Sequence, residues 1–145
     1  MTVMANFSTR GLEEVERQLL LRSENAVKAV PLMIDAGVTV IIRAQQAEAA
    51  KLTISGRSKG ALVRSIKATP LKKDGSRQWR YVYPQGTDRS HTRKGVPNAE
   101  KGFVLEYGRT NMPATQWMST ANDHAFDDVI DAEFEVWEKM TNGSG

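Results

Sequence analysis

Phe103-Val-Leu-Glu-Tyr-Gly-Arg-Thr-Asn-Met-Pro-Ala-Thr-Gln-Trp-Met-Ser-Thr-Ala121 joins an apolar run to the start of a helix through two backbone punctuators, Gly108 and Pro113. On its near side Phe103, Leu105 and Tyr107 recur with a period of two, which predicts a strand from Ala99 to Tyr107. On its far side the spacing predicts a helix from Ala114 to about Met140, with Trp117, Ala121, Phe126, Ile130, Phe134 and Trp137 as its apolar stripe. Gly108 is free to take a backbone angle other residues avoid, and Pro113 is expected to stop the strand and pre-set the helix start.

Upstream, two further strands are expected. Ser65 to Leu71 alternates Ile66 and Ala68 against Lys67 and Thr69, and Pro70 makes it an edge strand. Lys73-Asp-Gly75 signals a hairpin turn. Ser76 to Tyr83 then sets Trp79, Tyr81 and Tyr83 on one face, with Gln78, Arg80 and Val82 on the other. The simplest connection makes these strands and Ala99 to Tyr107 antiparallel neighbours. The link from Pro84 to Asn98 has no periodicity, and loops of its length are usually functional or mobile.

The N-terminal half reads as helical. Leu12, Val15, Leu19, Ala26 and Val30 recur at helical spacing, which predicts a first helix over 9–29 that Ser8 or Thr9 can cap. Pro31 suits the first turn of a second helix, to about Leu52, with Ile34, Val38 and Ile41 inward. Gly37 inside it costs about 1 kcal/mol relative to Ala, which packing must offset. After the turn Ser55-Gly-Arg-Ser58, Ser58 is expected to cap a short helix through Arg64.

The expected fold is α+β: long N-terminal helices and a C-terminal helix packed on a small antiparallel β-sheet with a long hairpin loop. One domain over 9–140 is expected, between a flexible N-terminus (1–8) and a flexible tail (141–145). A chain of 145 residues suits that size. With no cysteine, disulfides, thiolate catalysis and cysteine metal sites are excluded. No apolar run reaches the roughly 20 residues a membrane span needs, and the N-terminus has no signal-peptide pattern.

Charge is unevenly distributed. Residues 57–109 hold 13 Lys or Arg against 4 acids, whereas residues 110–145 hold 1 Lys against 7 acids. A basic centre beside an acidic tail suggests charge-matched contact within the molecule or between copies. Asp123, Asp127, Asp131 and Glu135 recur every four residues as a row of vertical neighbours, either a solvated face or one docked on the basic segment of another copy.

Candidate chemistry is sparse. His124 with Asp123, Asp127 and Asp128 lacks a recognised metal-ligand spacing, and no nucleophile elbow or phosphate loop is present. No cofactor, metal or catalytic residue is therefore expected. Lys72, Lys73, Arg77 and Arg80 interleave with Trp79, Tyr81 and Tyr83, as a single-stranded nucleic-acid platform would, but a half-buried sheet with inward rings has the same pattern. A nucleic-acid-binding module over residues 65–94 is the alternative function.

The stretch opening this section resembles the signature of a family of neck and tail-completion proteins (putative tail components) from long-tailed double-stranded DNA phages. The matching places are Glu106, Tyr107, Gly108, Thr110, Met112, Pro113, Ala114, Trp117 and Ala121. The family usually runs Gly directly into Thr, whereas Arg109 intervenes here, and Thr115-Gln116 stands where an Arg-Pro-like pair is usual. The resemblance implies a non-enzymatic virion protein at the head–tail junction, made in the host cytoplasm. It implies a homo-oligomeric ring that touches head-connector and tail proteins and continues the DNA channel, with no membrane partner. On that basis Asp123, Asp127, Asp131 and Glu135 of one subunit are expected to meet Arg77 and Arg80 of the next. Arg89, Arg93 and Lys94 in the long loop are expected to contact non-specific DNA phosphates in the lumen, or an adjacent ring.

Overall fold

The computed structural model describes residues 9–142; the expected flexible N-terminus, 1–8, and residues 143–145 of the expected tail, 141–145, lie outside them, whereas Thr141 ends the last helix and Asn142 caps it. The fold is α+β. Among the described residues the elements run α1 (Thr9–Ala50), α2 (Gly56–Ser65), β1 (Ile66–Ala68), β2 (Lys72–Asp74), β3 (Arg77–Trp79), β4 (Val82–Pro84), β5 (Thr87–Asp88), β6 (Val96–Pro97), α3 (Asn98–Tyr107) and α4 (Trp117–Thr141).

The N-terminal half is one helix, not two, because Pro31 lies inside α1. Proline removes one intrahelical hydrogen bond, leaving the carbonyl of the residue four earlier without its donor. That residue is Val27, which is exposed, so water can serve its carbonyl. Unbroken, the stretch Glu16–Ala50 is long and apolar enough by length and composition to cross a bilayer, contrary to the expectation of no apolar run of that length. Here the helix spends one side on other elements of the chain: Ala29, Val38, Gln45 and Ala49 are buried.

Helix α4 runs antiparallel to α1. Gln45 Nε2 donates to Asn122 Oδ1 at 3.1 Å near one end of the contact, and Gly37 faces Val129 and Glu133 further along. At the common helical rise of about 1.5 Å per residue, the end of α4 comes level with the region of Ala29. Leu19, Leu20 and Leu21, nearer the start of α1, are all exposed. The main core lies at the other end, where Ala49, Leu52, Leu62, Ile66, Leu105 and Trp117 pack together.

The expected hairpin over 65–83 forms, but as two ladders. Ile66 pairs with Pro84 and Ala68 with Val82, whereas beyond Pro70 Lys72 pairs with Trp79 and Asp74 with Arg77. The register slips by one residue between the ladders, the mark of a bulge on the strand carrying Pro70. Tyr81 stands exposed, and Trp79 and Tyr83 lie in different ladders, so the three rings form no shared buried face. A third ladder, β5–β6, closes the base of the long loop, which is therefore partly ordered into a hairpin of its own.

The segment expected as a third strand is instead helix α3. Gly102, Leu105 and Glu106 are buried while Phe103 and Tyr107 are exposed, a helical pattern. A short apolar run is ambiguous between strand and helix, and the period of two in its rings belongs to no buried face. The short helix α2 is capped by Ser55, whose Oγ accepts from the Ser58 N–H at 3.2 Å, three residues before the expected cap.

Candidate subunit interface

The residues that carry the sequence resemblance lie at the corner between α3 and α4. Gly108 ends α3 with φ +80° and ψ 178°. Arg109 and Met112 then exchange backbone hydrogen bonds of 2.8 and 3.0 Å across a tight turn containing Thr110. Pro113 and Ala114 follow as exposed chain without regular structure, so α4 starts at Trp117 rather than Ala114. The Thr115 N–H and hydroxyl both donate to the Leu105 carbonyl, at 2.8 and 2.6 Å.

Trp117 and Glu106 lock this corner. Trp117 is buried, and its Nε1–H donates to the Gly102 carbonyl at 3.0 Å. Glu106 is also buried, and its carboxylate accepts from the Ser119 N–H at 2.8 Å and the Ser119 hydroxyl at 3.0 Å. The residue preceding α4, Gln116, gives no side-chain cap, so Glu106 supplies one from another helix. A carboxylate there also meets the positive end of the helix dipole. Tyr107, by contrast, is exposed and stacks on Phe103 with centroids 6.4 Å apart.

The outer surface of α4 differs from the expected stripe. Trp117, Ala121 and Ala125 are buried, and Val129, Ala132 and Val136 continue the inner side. Phe126, Ile130, Phe134 and Trp137 are exposed, by 37–63%. The step of five from Ala121 to Phe126 turns about 140° around a helix, which carries it to another face. Asp123, Asp127, Asp131 and Glu135 are all exposed beside this outer stripe. Glu135 pairs with Lys139 at 3.1 Å, a solvent-exposed contact of small energy.

The basic residues divide. Arg80 is committed internally, donating to Asp35 Oδ1 at 2.6 Å and to the Thr69 carbonyl at 2.7 Å. It ties the hairpin to α1 within one copy. Arg77 is exposed and lies over the Trp79 ring at 5.4 Å. Arg89, Arg93 and Lys94 are exposed on the long loop. That loop is anchored through Asp88, which pairs with Lys101 and accepts from the Ser90 N–H at 2.9 Å. These partners, Lys101 foremost, hold the Asp88 carboxyl well below the usual carboxylate range.

A concave surface lies between α2 and the α3–α4 corner. This groove of about 230 Å³ is lined by Ile54, Val96, Val104, Leu105 and Met112, with Arg109 among its polar residues. Sequence reading missed it because it depends on α3 being a helix. His124 Nδ1 lies 3.8 Å from Glu48, and among the described residues no three His, Asp or Glu side chains converge as a metal site requires. Comparison with protein-family models, curated proteins and solved structures returns no match to this chain.

Proposed function

We propose that this chain is a non-enzymatic structural protein of the head–tail junction of a long-tailed double-stranded DNA phage. It forms a homo-oligomeric ring that joins capsid connector to tail and continues the DNA channel. The reading rests on the signature resemblance. The structural observation that carries it is the amount of apolar side chain left open on both long helices: Leu20 and Val27 on α1, Phe126, Ile130 and Phe134 on α4. Apolar patches that a single copy leaves exposed mark interaction surfaces. The acidic row of α4 and the basic segment 57–109 provide two unlike surfaces, as a closed head-to-tail ring requires. Arg89, Arg93 and Lys94, on a loop tied down at its base, are suited to weak contact with sliding DNA.

The test is localisation in particles and loss of the gene. Immunogold label at the head–tail junction, with unjoined heads and tails when the gene is deleted, is the expected result. Particles that lack the protein, or that join normally without it, would refute the assignment. A nucleic-acid-binding role is the competing function, favoured by exposed Lys72, Lys73 and Tyr81 on the hairpin. Salt-sensitive gel retardation at micromolar protein, with no rings in negative stain, would favour that role instead.

A further inference from the structure

Helix α4 has two apolar sides, and only one is covered. Its inner side packs on α1, while Phe126, Ile130, Phe134 and Trp137 form an outward ridge flanked by the acidic row. A helix apolar on opposite sides is normally buried on both. We infer that this ridge seats in the α2–α3 groove of a second copy, making a head-to-tail seam.

Three observations select that occupant. The groove is concave and apolar, lined by Ile54, Val104, Leu105 and Met112, so it can receive a projecting aromatic or Ile side chain. Buried aromatic anchors in such pockets dominate interface energies. Charge is complementary: Arg109 lines the groove, and Arg57, Arg93 and Lys94 are exposed on the segments leading into and out of it. Asp127 and Asp131 flank the ridge. Lys101 and Glu100 also line the groove; Lys101 is engaged with Asp88 and Arg57 donates to the Ser90 carbonyl at 3.2 Å, so Arg109, Arg93 and Lys94 carry the basic contribution against the single acid Glu100. Finally, two ridges packed on each other would bring both acidic rows together, and like charges across an interface oppose association. A ridge and a groove are different surfaces, so each copy presents both and the contact repeats from copy to copy, closing into a ring where its rotation closes.

The inference deepens the proposed function by naming the surfaces that join copies, and it rests on that reading only in requiring that copies assemble. Two variants block opposite sides of the seam. Ile130→Asp with Phe134→Asp spoils the ridge, and Arg109→Glu with Met112→Asp spoils the groove. All four side chains are exposed, so both variants should keep the parent's far-UV circular dichroism. By light scattering each should be monomeric where the parent is assembled. Mixed in equal amounts, they should form a one-to-one dimer through the single intact ridge and groove, and stop there. A groove variant that assembles like the parent, a mixture that stays monomeric, or a parent that is itself monomeric would overturn the seam. Its failure and that of the head–tail assignment are separable: rings built through other surfaces but found in particles sink only the seam, whereas ridge-and-groove rings absent from particles sink only the assignment.

Discussion

Glu106 closes α4 from outside: its carboxylate accepts from both the N–H and the hydroxyl of Ser119, at 2.8 and 3.0 Å, across 13 residues of chain. Most helices take such a cap from the residue just before them. Here that position is Gln116, which sits in the left-handed region at φ 54° and makes no cap hydrogen bond. The bond therefore fixes where α4 begins and how it docks on α3, and so sets the direction in which the outer ridge points.

Glu106→Ala removes this cap and leaves the Ser119 N–H, in the first turn of α4, without its protein acceptor. The expected loss is about 0.5–2 kcal/mol of stability. At about 2–4 °C per kcal/mol, that is a readily measured fall in melting temperature. Glu106→Gln keeps one acceptor oxygen and should lose less. Equal melting temperatures for parent and Glu106→Ala would show that the corner is held by Trp117 and the Thr115 bonds alone.

Gly108→Ala meets a harder obstacle. At φ +80° and ψ 178° the backbone lies where side chains are strongly disfavoured. An added Cβ would also fall 2.7 Å from both the Ala114 nitrogen and the Met112 oxygen, which are backbone atoms and cannot swing aside. A loss of at least about 2 kcal/mol is expected. Thermal denaturation checks it, and a variant as stable as the parent would mean that the turn has another low-energy shape.

The special role of Gly108 was legible in the sequence, because a glycine set between an apolar run and a proline marks a chain reversal that a side chain would obstruct. So were the N- and C-terminal helices, the hairpin around Gly75 and the disruptive effect of Pro70. The segment 98–107 was not. Phe103, Leu105 and Tyr107 alternate, yet two of the three face outward from a helix. Their exposure defeats a rule that assumes apolar residues point inward. Pro31 misled in the opposite direction, since its missing hydrogen bond falls at an exposed turn of α1. The ridge on α4 could have been separated from the inner stripe by the step of five between Ala121 and Phe126. The Glu106 cap and the Asp88–Lys101 pair join positions 13 residues apart, which no local pattern reveals.

Asp88 makes stability depend on pH. Its side chain and that of Lys101 are 4% and 13% exposed, so the pair is well shielded from solvent. Because the folded carboxyl titrates below its unfolded value, its stabilisation is complete above the unfolded pKa of about 4. It is then lost progressively as pH falls through the folded value. Asp88→Asn should be destabilised by about 3 kcal/mol at pH 7, the low end for breaking a buried pair. The gap between variant and parent should narrow as pH drops below 4. A gap of constant size from pH 7 to pH 2.5 would contradict the linkage.

Gly37 faces Val129 and Glu133 across the contact between α1 and α4. A Cβ on Gly37 would fall 2.7 Å from Glu133 Oε1 and 3.2 Å from Val129 Cγ1, so the glycine is there for space, not for backbone freedom. Gly37→Ala gains helix propensity of about 1 kcal/mol, and the far end of Glu133 can swing away, so the two effects should nearly cancel. Gly37→Leu cannot be accommodated that way and should lose about 1–3 kcal/mol through overpacking. Burial here raises the pKa of Glu133. The sign is opposite to that of Asp88: its charged form is disfavoured by folding, so the penalty is full above the folded pKa and vanishes below the unfolded one. Glu133→Gln should therefore raise the melting temperature at pH 7 and leave it unchanged near pH 3. If Glu133→Gln instead lowers it at pH 7, the carboxylate has a favourable partner in the assembled protein, and its burial against α1 is not what governs its titration.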